Sequence, residues 1–570
     1  DVGRRILCAF YKYSSSSCGK CFKYDFNKKL YIRIFLLYME IYCTSNSNLY
    51  TVFAFDCAFR TVSGMRKNVS YKCCRTDTER RIKKKIIVRR ISALLKIPKS
   101  KGGLSPSDIL TLVSYHVTIE KKCRKMGKLS MNSNLQEKYL AILQEELVPA
   151  MGCTEPIALA YASAKAREIL GCEPEYIVAK CSGNMIKNVR CVTIPNSGGM
   201  TGIETACILG AIAGHSENKM EVLEKVTEEQ RAQTKKLLEQ KRCEVEFLDS
   251  DIPLHFMVEV SAGADSAMVE IRYSHTNIAK IEKNGETIFI GDENEATGGG
   301  LTDRSVLTLE NIKQFADEVP LSLVRPMIER QIRYNMDIAY EGISGDYGLG
   351  IGRVLRESYA DGVVTRMKAY AAAASEARMS GCDMPVIINS GSGNQGIASS
   401  VPVIVYAREK NYRNDELYRA LVFSGLLTTY QKMFIGKLSA FCGAVSASCA
   451  SAAAITYLCG GSVAQIKATI DNTLANIPGI ICDGAKISCA AKIASSIDAG
   501  MMAHYLAMNH KAYKAYTGIV KEDTEETISC VGYIGKVGMH QTDKEIIKMM
   551  LDTQTEQENG KTGANPEQGK

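Results

Sequence analysis

The chain has no run of 18 or more consecutive apolar residues, which argues against a membrane-spanning helix. The nearest approach is SAFCGAVSASCASAAAITYLCGG, at 439–461. It is long enough to span, but its Ser, Ala and Gly content reads as a tightly packed buried helix. Residues 30–42, LYIRIFLLYMEIY, are interrupted by Arg33 and Glu40 and are too short to span. No small-residue cleavage site follows them, so no secretory signal is read there. Of the 21 cysteines, the 13 after residue 130 are an odd number and therefore point to free or metal-bound thiols in a reducing cytosol rather than to a disulfide framework. After residue 130 no Cys-x-x-Cys pair occurs, which removes the ferredoxin and zinc-finger patterns.

The overall charge of +9 hides two opposed parts. Residues 1–130 hold 28 Lys and Arg against 8 Asp and Glu, and 8 of the cysteines. Residues 131–570 hold 43 against 54. The first part shows no regular periodicity. A basic arm for nucleic acid or anionic lipid, a small zinc module built on CGKC and KCC, and a poorly ordered extension ahead of a natural start at Met131 all fit it. We expect the extension, and place the functional protein in 131–570.

In that acidic body, 131–300 reads as α+β and 301–550 as mostly α-helical, giving an α+β fold class. Two helices flank the turn VPAMGCTEP, bounded by Pro149 and Pro156. EYIVAKCSG and NVRCVTIP read as strands, NSGGMTG as a glycine loop and IETACILGAIAG as an apolar helix. A charged helix is expected over about 218–240. Strands follow at CEVEFL, LHFMVEVS and AMVEIRYS, and then a hairpin in NIAKIEKNGETIFIG with Asn284-Gly285 at its turn. From about 305 to 515 the windows read as helix with Ala, Gly and Ser packing, interrupted by the strand-like MPVIINS. The polar end, 551–570, reads as disordered.

Candidate chemistry lies in four places. AFCGAVSASCAS and ICDGAKISCAAK each carry cysteines seven apart, Cys442 with Cys449 and Cys482 with Cys489, a spacing of about two helical turns. Cys482, ahead of Asp483-Gly484, is expected where a loop enters a helix, with Cys489 farther along it. Thiolates suit iron–sulfur clusters and zinc, while Cys is also a common core residue. INSGSGNQGI contains Gly391, Gly393 and Gly396 in a Gly-x-Gly-x-x-Gly pattern. A dinucleotide site fails there because no second strand with a ribose-binding acid follows. An anion-binding turn remains, with Ser390, Asn394 and Gly393 as substrate-binding candidates, alongside a plain tight turn. His275 in SHTNI can bind substrate or relay a proton, or be structural. NSGGMTG is a second candidate anion turn.

Taken in order, MGCTEPIALAYA, NSGGMTG, HTNI, INSGSGNQGI, GKLSAFCGAV and IICDGAKISCAAK make residues 131 to about 551 resemble the L-cysteine desulfidase family. That family is related to the alpha chain of iron–sulfur L-serine dehydratases. The resemblance implies a 4Fe–4S cluster held by Cys442, Cys482 and Cys489, and a catalytic cysteine at Cys153 acting as base, with Cys449 an ordinary helix residue. Cys153 precedes a helix start, which is expected to lower its thiol pKa.

The expected function is a cytoplasmic lyase that degrades L-cysteine to pyruvate, ammonia and hydrogen sulfide by β-elimination. L-serine deamination by the same chemistry is the alternative, and an iron–sulfur sensor is the non-catalytic one. A small amino acid is the expected partner, with no nucleic acid and no membrane; a homo-oligomer is compatible with the sequence. No lysine stands out as a pyridoxal-phosphate Schiff base.

Overall fold

The computed structural model describes residues 131–291, 301–436 and 438–562; the expectations for 1–130 and 563–570 lie outside them. Helix α1 (Ser133–Glu146) starts under an Asn132 cap that accepts from the Asn134 amide. It leads through a short strand β1 (Pro149–Met151) into α2 (Thr154–Leu170). Almost every residue of α2 is buried, because its alanines present little bulk on any side and let neighbours pack all round it. Gly171, at φ 90°, ends the helix in the left-handed conformation that glycine adopts without strain.

Strand β2 (Tyr176–Ser182) alternates as the pleat requires, with Ile177, Ala179 and Cys181 turned inward. Next come α3 (Gly183–Val189), α4 (Gly202–Ala213) and α5 (Glu228–Glu239). Strands β3 (Cys243–Leu248), β4 (His255–Ala262), β5 (Asp265–Arg272), β6 (Ile278–Lys283) and β7 (Glu286–Ile290) complete a six-stranded sheet. Its order is β3-β2-β4-β5-β6-β7. The β2–β3 pair is parallel and the others are antiparallel. Asn284 and Gly285, at φ 51° and 79°, make the β6–β7 turn, as the sequence predicts. Helices α2 and α4 join the inward face of the sheet in one apolar core. A Cβ on Gly210 of α4 would stand 2.4 Å from the Ala160 carbonyl oxygen, so only glycine permits that approach.

The second core belongs to the helices. These are α6 (Leu309–Glu318), α7 (Leu321–Ser344), α8 (Ile351–Ser358) and α9 (Val363–Met379), then strand β8 (Pro385–Ile387). After β8 follow α10 (Gly393–Glu409), α11 (Asn414–Ile435), α12 (Gly443–Leu458), α13 (Val463–Asn476) and α14 (Cys489–Met508). The chain closes with α15 (Thr524–Tyr533) and α16 (His540–Thr562). An α+β fold results. The antiparallel β1–β8 pair, in which Ala150 faces Val386, lies in the helical core, and β1 leads from it into α2 of the first. Helix α16 returns to the first core: Asp543 forms an ion pair with buried Lys187 of α3, and Ile547 packs on Gly183.

Four expectations change. NVRCVTIP is not a strand: its first residues end α3, and beyond them only Thr193 bridges, to Thr201. The apolar Val192 and Ile194 are buried in a loop instead. The charged segment before β3 splits into a 3-10 turn, Ser216–Glu221, and α5, which has its own Thr227 capping box. The polar stretch after 550 continues α16 as far as Thr562. Cys482 and Cys489 do not share a helix, since α14 begins at Cys489 and Cys482 lies in the loop before it. Among the described residues no helix is long and apolar enough to cross a membrane.

Candidate active site

Four helices begin at one place. Cys153 stands at the N-cap of α2, Ser392 at that of α10, Cys442 at that of α12 and Ser488 at that of α14, and none of the four side chains caps its helix. Their first turns touch. Thr154 Oγ1 donates to the Gly391 carbonyl at 2.9 Å. Gly443 lies so close to Gln395 that a Cβ on it would stand 2.5 Å from the side-chain amide carbon. Cys153 packs with Cys489, Val192 and Met379 in a small buried cluster. Uncapped first-turn amides and aligned peptide dipoles make such a meeting point electropositive.

The thiols are delivered by the backbone. An antiparallel bridge pairs Phe441 with Ile481. The Cys442 amide donates to the Ile480 carbonyl at 2.8 Å, and the Cys482 amide to the Ala440 carbonyl at 2.7 Å. The bridge brings the two thiols together, and Cys442 hydrogen-bonds Cys482. That contact, with the charges of Lys187 and Lys492 and the Gly484 amide, brings the Cys482 thiol down to about 6. The same contact holds the proton on Cys442, whose thiol is pushed well up. Cys489 closes the group from the start of α14; burial raises its thiol. Gly484, at φ 95°, lets the loop approach α3, where a Cβ would meet the Lys187 carbonyl at 2.2 Å. Cys449 lies inside α12, fully buried and apart from this group.

Cys153 donates to Glu155 Oε2 at 3.0 Å, and Thr154 Oγ1 lies 3.0 Å from the same oxygen. Asn188 Nδ2 reaches Glu155 Oε1 at 3.4 Å. The expected lowering of the Cys153 thiol is overturned. Burial, and then the Glu155 carboxylate, hold it well above the ordinary range despite the helix start.

The glycine turn supplies the adjoining wall. Ser390, at φ 49°, donates to Asn389 Oδ1 at 2.8 Å. Asn394 Oδ1 accepts from Arg378 Nη1 at 3.1 Å and from Ser375 Oγ at 3.0 Å. Gly393 has to be glycine here, because a Cβ would stand 2.3 Å from Arg378 Nε. The His275 ring lies against Gly391, with Cε1 3.3 Å from where a Cβ would stand. An open groove of about 1700 Å³ is lined by His275, Ser390, Gly391 and Lys432, among others. Lys432 is buried, its ammonium lowered to about 8 by desolvation, and it acts on both Cys442 and Cys482. Lys432 thus stands between the groove and the thiol pair. The second glycine loop is scaffold: Asn196 Nδ2 donates to the Leu223 carbonyl, and Arg231 Nε donates to the Asn196 carbonyl, both at 2.8 Å.

Sequence reasoning missed Glu155, Arg378 and Lys432. Glu155 stands inside the quoted MGCTEP motif, two residues from Cys153, and could have been found there. Arg378 and Lys432 sit in ordinary helix patterns and carry no local signal.

Among the described residues no three His, Cys, Asp or Glu side chains are grouped to hold a metal ion. The donor set suits a larger group. It consists of three soft thiols, beside Lys187, Lys432 and Lys492, at helix starts that favour an anionic assembly. In their chemistry, three soft thiols with cations beside them, the residues present fit an iron–sulfur cluster.

The serine dehydratase alpha chain family matches residues 217–548. The three thiols, His275 and the glycine turn fall inside that match, and Cys153 lies before it. A protein of Lachnoclostridium phytofermentans named UPF0597 protein is 48% identical over 418 residues, covering 73% of this chain and 100% of the relative. UPF0597 proteins of Treponema denticola and Bacteroides fragilis are 45% and 38% identical, each covering 74% of this chain and 100% and 99% of the relative. The chain belongs to the serine dehydratase alpha chain family and is a relative of the UPF0597 proteins.

Proposed function

We propose that the protein is an iron–sulfur lyase that eliminates the β-substituent of a small L-amino acid, with L-cysteine as substrate and pyruvate, ammonia and hydrogen sulfide as products. The observation that carries this reading is the meeting of Cys442, Cys482 and Cys489 with Cys153 at four uncapped helix starts. Cys442, Cys482 and Cys489 would hold the cluster, and a cluster with three protein thiolates supplies an open iron as Lewis acid for the departing sulfur.

The chain's own residues divide the remaining work. Cys153 Sγ takes the substrate α-proton. To do so it must first pass its own proton to Glu155 Oε2, to which it already donates. Breaking the Cβ–S bond then releases hydrosulfide and leaves aminoacrylate, which water converts to pyruvate and ammonia. Ser390, Gly393 and Asn394 shape the wall that orients the amino acid, and His275 stands on the groove side, where a proton can be exchanged with solvent. Burial of Cys153 and Glu155 keeps bulk water away from the proton transfer.

L-Serine would follow the same path with hydroxide leaving, and membership of the serine dehydratase alpha chain family favours it as the second reading. Anaerobically purified protein should release sulfide and pyruvate in equal amounts from L-cysteine, faster than it forms pyruvate from L-serine. Faster pyruvate formation from serine would reverse the assignment. No turnover of either amino acid by protein that carries its iron would favour the sensor reading.

A further inference from the structure

The first core holds thiols that the lyase chemistry does not use. In the parallel β2–β3 pair, Cys243 stands opposite Ile177 and Phe247 opposite Cys181. Ile177 and Cys181 face inward, so Cys243, the first residue of β3, lies on the same face of the sheet. Helix α4 belongs to the core under that face and carries Cys207. Cys207 and Cys181 are buried outright, whereas Cys243 packs at the margin of the core and is part exposed; all three are free thiols. The Cys207 thiol hydrogen-bonds Cys243, and that contact, then burial, push it well up. Cys207 therefore keeps its proton and Cys243 is the acceptor. Cys181 lies farther along β2 than Ile177 by about 13 Å, so it shares the core without meeting Cys243. Among the described residues no three such side chains are grouped to hold a metal ion, which leaves a pair of thiols, one buried and one within reach of solvent.

We propose that Cys243 and Cys207 form a two-electron oxidation site, separate from the lyase centre, that reduces a small hydroperoxide and ends as a disulfide between β3 and α4. Cys243 is the point of attack because an oxidant in solvent meets it first, and its partial exposure limits that oxidant to a small molecule. Cys243 Sγ attacks the hydroperoxide: an S–O bond forms, the O–O bond breaks, and the Cys243 proton leaves on the alcohol, or on water when the oxidant is hydrogen peroxide. Cys207 Sγ then attacks Cys243 Sγ. The S–S bond forms, the S–O bond breaks, and the hydroxyl departs as water with the Cys207 proton. Together the two thiols give up two electrons and two protons, and one hydroperoxide takes them up. A buried thiol alone is inert; contact with Cys243 is what makes Cys207 the resolving partner. The competing role for Cys207 is that of a small core residue. The chemistry of the pair is independent of which amino acid the protein turns over.

The test treats the full chain, purified anaerobically, with hydrogen peroxide, quenches it in acid, alkylates the remaining thiols and maps the peptides without reductant. Cys172 and Cys191, which are exposed, serve as controls, since exposure alone would favour them. In the wild type the Cys207–Cys243 linked peptide should exceed any link made by Cys172 or Cys191 by about tenfold or more, and dithiothreitol should abolish it. In Cys207→Ser the link should vanish and Cys243 should be captured by dimedone as its sulfenic acid. In Cys243→Ser, Cys207 should stay open to alkylation after denaturation, and Cys181→Ser should leave the link as in the wild type. The wild-type map decides the matter if the variants in the core do not fold. Four results overturn the proposal: no Cys207–Cys243 link at a peroxide dose that oxidises Cys172 and Cys191, a link from Cys243 to Cys181 in its place, oxidation of Cys207 in Cys243→Ser, or no sulfenic acid at Cys243 in a folded Cys207→Ser protein. A peroxide-dependent link in a protein that turns over neither cysteine nor serine leaves this inference standing and removes the lyase. Turnover without the link does the opposite.

Discussion

Two sets of helix starts in this chain are built differently. Away from the site, α1, α5, α6 and α13 open on Asn132, Thr227, Thr308 and Ser462, and each side chain accepts from an amide of its own first turn. At the site, α2, α10, α12 and α14 open on Cys153, Ser392, Cys442 and Ser488, and none does. Uncapped starts occur elsewhere too, at α7 and α9 for example; what is particular to the site is that four meet. A capped start closes its own polar account locally. Four open ones leave a concentration of donors and partial positive charge that something else must answer. The same contrast holds for charges. Lys187 is answered by Asp543, whereas Arg378 and Lys432 stand by thiols with no carboxylate within ion-pair distance among the described residues.

The largest effect expected from this contrast is on turnover. Cys153→Ser should lower the rate by a factor of about 10² to 10⁴, the usual contribution of a positioned base, while iron content and absorption stay as in the wild type. Exchange of the substrate α-proton with solvent deuterium should disappear with it. Retained exchange in a stable Cys153→Ser protein would remove Cys153 from the role and make His275 the next residue to test.

A smaller effect belongs to the scaffold. His504 is buried between helices, its Nδ1 2.8 Å from Thr456 Oγ1, and desolvation lowers its pKa from 6.5 to about 4. The unfolded chain therefore binds a proton that the folded chain refuses between those values. The contribution is complete above about pH 6.5 and is lost as pH falls towards 4, by up to roughly 3 kcal/mol. Denaturant melts from pH 7 to 4.5 should show His504→Gln losing less stability over that range than the wild type; parallel losses would contradict this.

The smallest effects test the caps themselves. Thr308→Ala removes an acceptor from the Asn311 amide and should cost about 1 kcal/mol. Ser392→Ala removes a hydroxyl that caps nothing and should cost less than half of that. Equal losses in urea titrations would erase the distinction between the two sets of starts.

Much of the scaffold could be read from sequence, because its signals are local. The Asn284-Gly285 turn and the alternation in β2, β4 and β5 appear where composition places them. Cys153 does open a helix, as the Pro-bounded turn around it suggested. The site was legible only in part. The seven-residue spacing of Cys482 and Cys489 resembled two helical turns, yet the Asp483-Gly484 turn keeps Cys482 off the helix. What joins Cys442 to Cys482 is a bridge between backbones about forty residues apart, and no periodicity records that. The Cys153 pKa was misjudged because burial and a neighbouring carboxylate are tertiary facts. Arg378 on α9 gains its meaning only from an α10 start that arrives after β8.

The central claim is that Cys442, Cys482 and Cys489, and not Cys449, hold the cluster at the open helix starts. Its most direct test is iron and acid-labile sulfide per chain after anaerobic purification, in the wild type and in the four single Cys→Ser variants. The account predicts about four of each per chain in the wild type and in Cys449→Ser, and loss of most of both in Cys442→Ser, Cys482→Ser and Cys489→Ser, since a hydroxyl is a poor substitute for a soft thiolate. Iron retained in those three variants, or lost as readily from Cys449→Ser, would contradict it.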